Sequence, residues 1–407
     1  MDIRPILSTL TRHKTAAALI VLEIALSCAI ICNALFIVSQ RIETMNMASG
    51  MDDNKLIEIA LSGIGKQVDA DARTLEDLAS LRSIPGVEKA AVTNQLPFQS
   101  GSWNSSFGLS PDPDALRVNA AQYQVSEGTL ATMGLKLVAG RDFLPDEFKS
   151  NAELEELQDI STLSSGVVLT QPYAKQLFPK GDAVGKTIYM ANIPLTVVGV
   201  VESLVRPTMQ MSNRTYSVLL PIHMNFSNGG RYLIRVSDPA RRDEVLKQAM
   251  AVLDKNDPNR LTWRSVTFEE GRAKYFANDR DMIGLLLIIS GLLLLVTALG
   301  IVGLASFWVQ QRTKQIGIRR ALGATRGQIL RYFQTENFLL ASIGIVIGML
   351  LAYLLNQWLM GRYELPRLPL LYLPVGALVL WMLGQFAVFG PARRAAAIPP
   401  AVATRSA

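Results

Sequence analysis

Four apolar stretches, each long enough to cross a bilayer, constrain this chain more than any other feature. A hydrocarbon core of about 30 Å needs roughly 20 helical residues. Residues 16–40, 282–308, 333–359 and 371–389 meet that length with at most one charged residue apiece. Residues 41–281, between the first stretch and the second, have the composition of a soluble domain. The first stretch follows Arg4, Arg12 and Lys14, as a secretory signal would. A signal core, however, runs about 7–15 residues to a small-residue cleavage site, whereas this one is longer and continues into "FIVSQRIE". It reads as an uncleaved anchor. The expected fold is a membrane protein of four transmembrane α-helices, with a large α+β extracytoplasmic domain inserted between helices 1 and 2.

Charge sets the orientation. Residues 1–15 hold three basic and one acidic side chain, 309–332 hold six and none, and 390–407 hold three and none, whereas 41–281 hold 26 basic and 30 acidic. Basic residues collect on the cytoplasmic side of a membrane protein. Both termini and the 309–332 segment are therefore expected in the cytoplasm, with 41–281 and the short 360–370 loop outside. This describes a multi-pass protein of a bacterial inner membrane. The net charge of +6 belongs to cytoplasmic edges facing anionic lipid or a partner. Nucleic-acid binding would place a basic patch on the soluble domain, so it is not expected.

The outer domain alternates strand and helix patterns. "KLIEIALS" (55–62), "VEKAAVTN" (87–94), "GVVLT" (166–170), "LTVVGVVES" (195–203), "YSVLLPI" (216–222), "RYLIRV" (231–236) and "TWRSVTF" (262–268) read as strands. "TLEDLASLRSI" (74–84), "SEGTLATMG" (126–134) and "PARRDEVLKQAMAVLDKNDP" (239–258) read as helices. The ends, about 55–94 plus 230–268, are expected to form one subdomain, with 95–229 inserted as a second. Thr267 and Glu270 form a capping-box pattern. A helix starting there meets no proline until Pro366. Run without a break from 268 to 322 it would measure about 80 Å, a rod long enough to carry motion across the bilayer.

Several motifs reduce to structure. Cys28 and Cys32 lie four residues apart on one face of the first span with no histidine nearby, which fits small packing residues better than a metal site. "KGDAVGKT" (180–187) imitates a phosphate-binding loop, but only three residues separate Gly181 from Gly185 where four are needed. It follows a helix pattern and enters a strand pattern, so it reads as a turn. His13 and His223 are the only histidines, too few for a His-based triad or a zinc site, and no catalytic residues, cofactor or metal are expected of this chain. The acidic "ELEELQD" (153–159) reads as a solvated helix. Glu23 lies inside the first span, where a carboxylate is costly unless paired, protonated or facing a polar interior. It either faces the bundle or reaches the headgroups. Gly344 and Gly348, at small-xxx-small spacing, permit close helix approach.

"RTKQIGIRRALGATRG" (312–327) carries five positive charges and three glycines between two spans. Gly323 can end a helix in a left-handed conformation. Thr325 with Gln328 makes a second capping box. The expected path is a helix to about Leu322, a sharp turn, and a new helix from Arg326 feeding the third span. Obedience to the topology rule explains the arginines but not the two caps or the apolar Ile-x-Ile within the basic run. A shaped docking element explains all three.

This segment, extended to "QRTKQIGIRRALGATRGQIL" (311–330), resembles the coupling segment of MacB/FtsX-type ABC transporter permeases, the type VII or mechanotransmission ABC proteins. Their members read R-T-x-E-I-G-I-R-R-A-L-G-A-T. "GPARRAAAIPPAVATR" (390–405) resembles their tail, "EGTLATMGLKLVAGRDF" (127–143), "LFPKGDAVGKTI" (177–188) and "LTVVGVVESL" (195–204) their outer domain, and "VLEIALS" (21–27) their first span. The resemblance implies a permease dimer, of two copies or of two related chains. It implies a cytoplasmic ABC ATPase, which binds ATP and magnesium and is supplied separately here. Membrane lipid and a periplasmic adaptor are further implied partners. The implied function is to couple ATP hydrolysis to motion of the periplasmic domain for export or extrusion of a substrate. The alternative is FtsX-like regulation of a periplasmic partner without transport. ATPase coupling would fall to Arg312, Gln315, Ile316, Gly317, Arg319, Arg320, Gly323 and Thr325. Gln315 stands where the family usually has glutamate, which removes a charge from the docking surface.

Overall fold

The computed structural model describes residues 14–65, 67, 69–150, 153, 165–209, 213–363 and 367–399. The expected cytoplasmic head up to 13, with His13, most of the acidic 153–159 run and the tail beyond 399 lie outside them. The chain divides into two compact units, Asn46–Ala277 and Met1–Met45 with Asn278–Ala407. After α1 (Lys14–Met45), the first unit contains, in order, β1 (Leu56–Gly63), α2 (Ala70–Arg82), β2 (Val87–Thr93), β3 (Asn104–Gly108), β4 (Arg117–Gln124), α3 (Thr129–Met133), β5 (Leu137–Gly140), β6 (Lys149–Ser150), β7 (Ser165–Thr170), α4 (Gln171–Leu177), β8 (Thr187–Met190), β9 (Ile193–Val201), β10 (Ser217–Leu220), β11 (Ile222–His223), β12 (Arg231–Val236), α5 (Arg242–Asn256), β13 (Arg260–Thr267) and α6 (Phe268–Tyr275).

Two main sheets organise this unit. The first is antiparallel, in the order β13-β1-β12-β2. Strand alternation points Ile57, Ile59 and Leu61 to one face, where Leu78 and Leu81 of α2 and Val245, Ala249 and Leu253 of α5 cover them. The α5 residues recur every fourth position, which is one apolar helical stripe. The opposite face buries Glu58, which Arg231, Arg264 and Gln99 satisfy with charge-assisted hydrogen bonds. The second sheet runs β5-β9-β7-β10-β4-β3-β8, and β8 pairs again with β9. Six strands thus close a ring of pairings with β5 on its outer edge. Phe107, Val167, Leu169, Tyr173, Leu195, Val197 and Val218 fill its core. The phosphate-loop look-alike lies between α4 and β8, and Gly185 turns there with a φ of +78°.

α6 begins at the expected cap, with Thr267 Oγ1 accepting from Glu270 N at 3.3 Å. It does not continue as a single rod. The helix breaks at Phe276, whose backbone leaves the helical path at φ −89°, ψ 12°. Its buried ring packs on Phe98 and Tyr275 at centroid distances of 5.3 and 4.8 Å. Turning the ring into that aromatic cluster takes the backbone out of register. A new helix, α7, spans Ala277–Gln311. A second break falls at Arg312, before α8 (Thr313–Ala321). The expected unbroken helix from 268 to 322 is therefore three helices.

The second unit is completed by α9 (Arg326–Tyr363) and α10 (Tyr372–Ala396). Among the described residues, they and α1 and α7 are the four helices long and apolar enough to cross a membrane. Each extends past its apolar stretch by several residues. α1 and α9 touch backbone to side chain: a Cβ on Gly348 would lie 2.5 Å from Cys28 Cβ, and one on Gly344 would lie 2.9 Å from Ile24 Cβ. The free, buried Cys28 and Cys32 fill this seam and the next, since a Cβ on Gly376 of α10 would run into Cys32 Sγ. α7 buries only one stripe, Ser290, Thr297, Ile301, Ala305, Trp308 and Val309.

Candidate functional site

The segment between α7 and α9 is a short amphipathic helix held at both ends. At its N-terminus the chain turns at Arg312, with φ −102° and ψ 8°. There the side chain points inward, and Arg312 Nη1 donates to both carboxylate oxygens of Glu336 on α9, at 3.0 and 2.8 Å. Its guanidinium also lies over the Trp308 ring, 5.7 Å from the centroid. At the C-terminus Gly323 takes φ +98°. Gly323 N donates to Arg320 O at 3.2 Å, and Ala324 N donates to Arg319 O at 3.0 Å. These bonds satisfy carbonyls that the helix end would leave bare. Thr325 N then donates to Gln328 Oε1 at 2.9 Å, and Thr325 Oγ1 accepts from Gln328 N at 3.3 Å. This reciprocal box starts α9 at Arg326.

α8 has two faces. Ile316 and Gly317 are buried. Ile316 packs with Val309, Ile329 and Phe333 and with Ala392, Ala395 and Ala396 of α10. Residues 390–396, expected as a cytoplasmic tail, therefore continue α10 as helix through Pro391 and back α8. The opposite face leaves Lys314, Gln315, Ile318, Arg319 and Leu322 exposed. Leu322 is 83% exposed, and Arg319 rests over the Tyr332 ring at 5.1 Å. Of the residues singled out in the sequence, Gln315 and Arg319 point outward, Arg320 is half-buried, Arg312, Ile316 and Gly317 point inward, and Gly323 and Thr325 shape the turn. Arg312 is thus not on the exposed face; its charge is spent on Glu336. The site can offer a partner protein one turned-out stripe of two apolar, two basic and one amide side chain.

Glu23 of α1 faces the bundle. A Cβ on Gly300 of α7 would meet its Oε2 at 2.5 Å. One turn on, Ser27 Oγ and Thr297 Oγ1 are hydrogen-bonded at 2.8 Å. The Glu23 carboxylate against Gly300 and the Ser27–Thr297 bond put polar groups on the seam between α1 and α7. Glu336 and Asn337, both buried, were not singled out in the sequence. The signal was available, since Glu336 is a carboxylate within the 333–359 apolar stretch and the argument applied to Glu23 applies equally to it.

Comparisons with known proteins bear on most of the chain. The family model for the MacB-like periplasmic core domain matches residues 18–252, and that for the FtsX-like permease C-terminal region matches residues 287–400. The macrolide export ATP-binding/permease protein MacB of Chromobacterium violaceum is 27% identical over 295 residues, which cover 70% of this chain and 43% of that protein. The uncharacterized ABC transporter permease YknZ of Bacillus subtilis is 27% identical over 237 residues, 56% of this chain and 55% of that protein. The chain thus spans about half the length of these curated relatives, 43% and 55%. The solved extracellular domain of a Gram-positive YknZ aligns at a TM-score of 0.34 and 14% identity, covering 51% of this chain and 100% of that one.

Proposed function

This chain belongs to the MacB/FtsX-type permease family, and we propose that it is the membrane subunit of an ABC system that couples ATP hydrolysis by a cytoplasmic ATPase to motion of the outer domain for export or extrusion. In this reading 309–332 and both termini face the cytoplasm, and the permease works as a dimer. One observation carries the coupling role. α8 is anchored on one face and bare on the other, with Gln315, Ile318, Arg319 and Leu322 turned out beside a rigid glycine turn. A solvated basic loop would need neither the anchor nor the apolar side chains. Force delivered to this stripe passes to α7 and α9 through the Arg312–Glu336 pair and to α10 through the alanine contacts of Ile316.

The test is ATP hydrolysis by the partner ATPase, measured with and without the permease in nanodiscs. Arg319→Glu reverses a charge on the exposed stripe. Gly323→Val forces a β-branched residue into a left-handed backbone, which costs about 1–3 kcal/mol and redirects the turn. Both variants are expected to insert and fold yet lose permease-dependent stimulation. Stimulation unchanged in both variants would remove α8 from the coupling path.

A further inference from the structure

Next to the Arg312 break, all four spans converge on a cavity of about 10 Å³. Ile20 of α1, Phe333 of α9 and Val388 of α10 supply apolar wall, while Trp308, Glu336 and Asn337 supply the polar part. Trp308 and Asn337 are 5% and 6% exposed. Trp308 Nε1 and Asn337 Nδ2 nonetheless have no hydrogen-bond partner among the described residues. Gly384 keeps this corner open, since a Cβ there would lie 3.0 Å from Asn337 Nδ2. Both orphaned groups are donors. The neighbouring group with acceptor capacity to spare is Glu336, whose two oxygens each accept one bond from Arg312 and retain a further lone pair. Buried donors without partners are costly, most of all in a membrane protein, where bulk water is not at hand to satisfy them.

Size selects the ligand. A cavity of about 10–15 Å³ holds one water, and a buried water needs two to four polar partners. We infer that this cavity is a structural water site. One water accepts from Trp308 Nε1 and Asn337 Nδ2 and donates to Glu336, so the Arg312–Glu336 pair is solvated from inside the bundle. The inference stands apart from the coupling reading and uses no property of an ATPase.

Radiolytic hydroxyl-radical footprinting of the full-length protein in nanodiscs tests it, because a bound water generates the radical beside the residues that hold it. Trp308 is expected to oxidise at a rate comparable to that of the exposed Trp263, despite its burial. Asn337→Leu removes one of the water's three bonds and is expected to lower that rate about tenfold. If Asn337→Leu does not fold, Trp308→Phe read at Phe333 should show the same loss relative to wild type. Trp308 left unlabelled in the wild type, or labelling equal in the variant, overturns the proposal. No ATP is present, so the outcome is independent of whether α8 couples to anything.

Discussion

At the scale of residues, the second and third spans are joined by the Arg312–Glu336 pair, whose side chains are 9% and 2% exposed. Two buried charges interact strongly, but each has lost its hydration, so the net worth of the pair is smaller than the damage done by breaking it. Glu336→Leu alone strands a buried guanidinium and is expected to destabilise by about 3–5 kcal/mol. Arg312→Met alone strands the carboxylate, with a similar loss. The double variant removes both charges and is expected to recover most of that stability. Denaturation midpoints of the four proteins in one detergent measure this cycle, and additive losses would show that the two charges do not depend on each other. The same pair turns Arg312 inward, away from the exposed face of α8. That orientation was not visible in the sequence, because charge shows there and its partner, 24 residues on and one helix away, does not.

At the scale of elements, glycine positions separate contact from mere composition. Gly303 on α7 has open space where its Cβ would be, whereas Gly348 on α9 has Cys28 Cβ at 2.5 Å and Ala25 O at 2.7 Å. Alanine is favoured over glycine within a helix by about 0.8–1 kcal/mol. Gly303→Ala should therefore raise the unfolding temperature slightly, while Gly348→Ala should lower it, because overpacking typically costs about 1–3 kcal/mol. Thermal unfolding of the two variants checks the opposite signs, and a shared sign would remove the close α1–α9 seam. The small-xxx-small spacing of Gly344 and Gly348 made this contact legible in advance, as did the caps at Gly323, Thr325 and Thr267. The four apolar helices were equally plain, since their length and hydrophobicity need no tertiary information. Strands β3, β4 and β5 were not legible. "NSSFG" and "RVNAAQYQ" alternate too weakly, and closure of the β-ring rather than local propensity sets them. The break at Phe276 was hidden for a related reason, because no proline or glycine marks it and the aromatic cluster that causes it draws on Phe98.

For the whole molecule, composition and charge determined the broad reading, and topology in the membrane is the part to check by experiment. The native cysteines help. Cys28 and Cys32 are fully buried, so they contribute little background to thiol labelling. Asp114→Cys, on an exposed outer-domain loop, and Leu322→Cys, on the α8 stripe, give two reporters. In intact spheroplasts an impermeant maleimide is expected to label Asp114→Cys only, with Leu322→Cys reacting after the membrane is opened. The reverse pattern would invert the orientation and detach α8 from any cytoplasmic ATPase.

The single buried stripe of α7 has a consequence for how this chain can diverge. A helix whose identity is fixed along one seam, from Ser290 to Val309, stores little sequence information elsewhere. Positions turned away from the seam are asked within this chain only to be apolar, so drift among leucine, isoleucine and valine there is nearly free. α1 and α9 meet at atomic contact through Gly344 and Gly348 and must change in concert. Relatives of this chain can therefore differ most in the helix that leads into α8 while keeping the pair of helices behind it almost fixed.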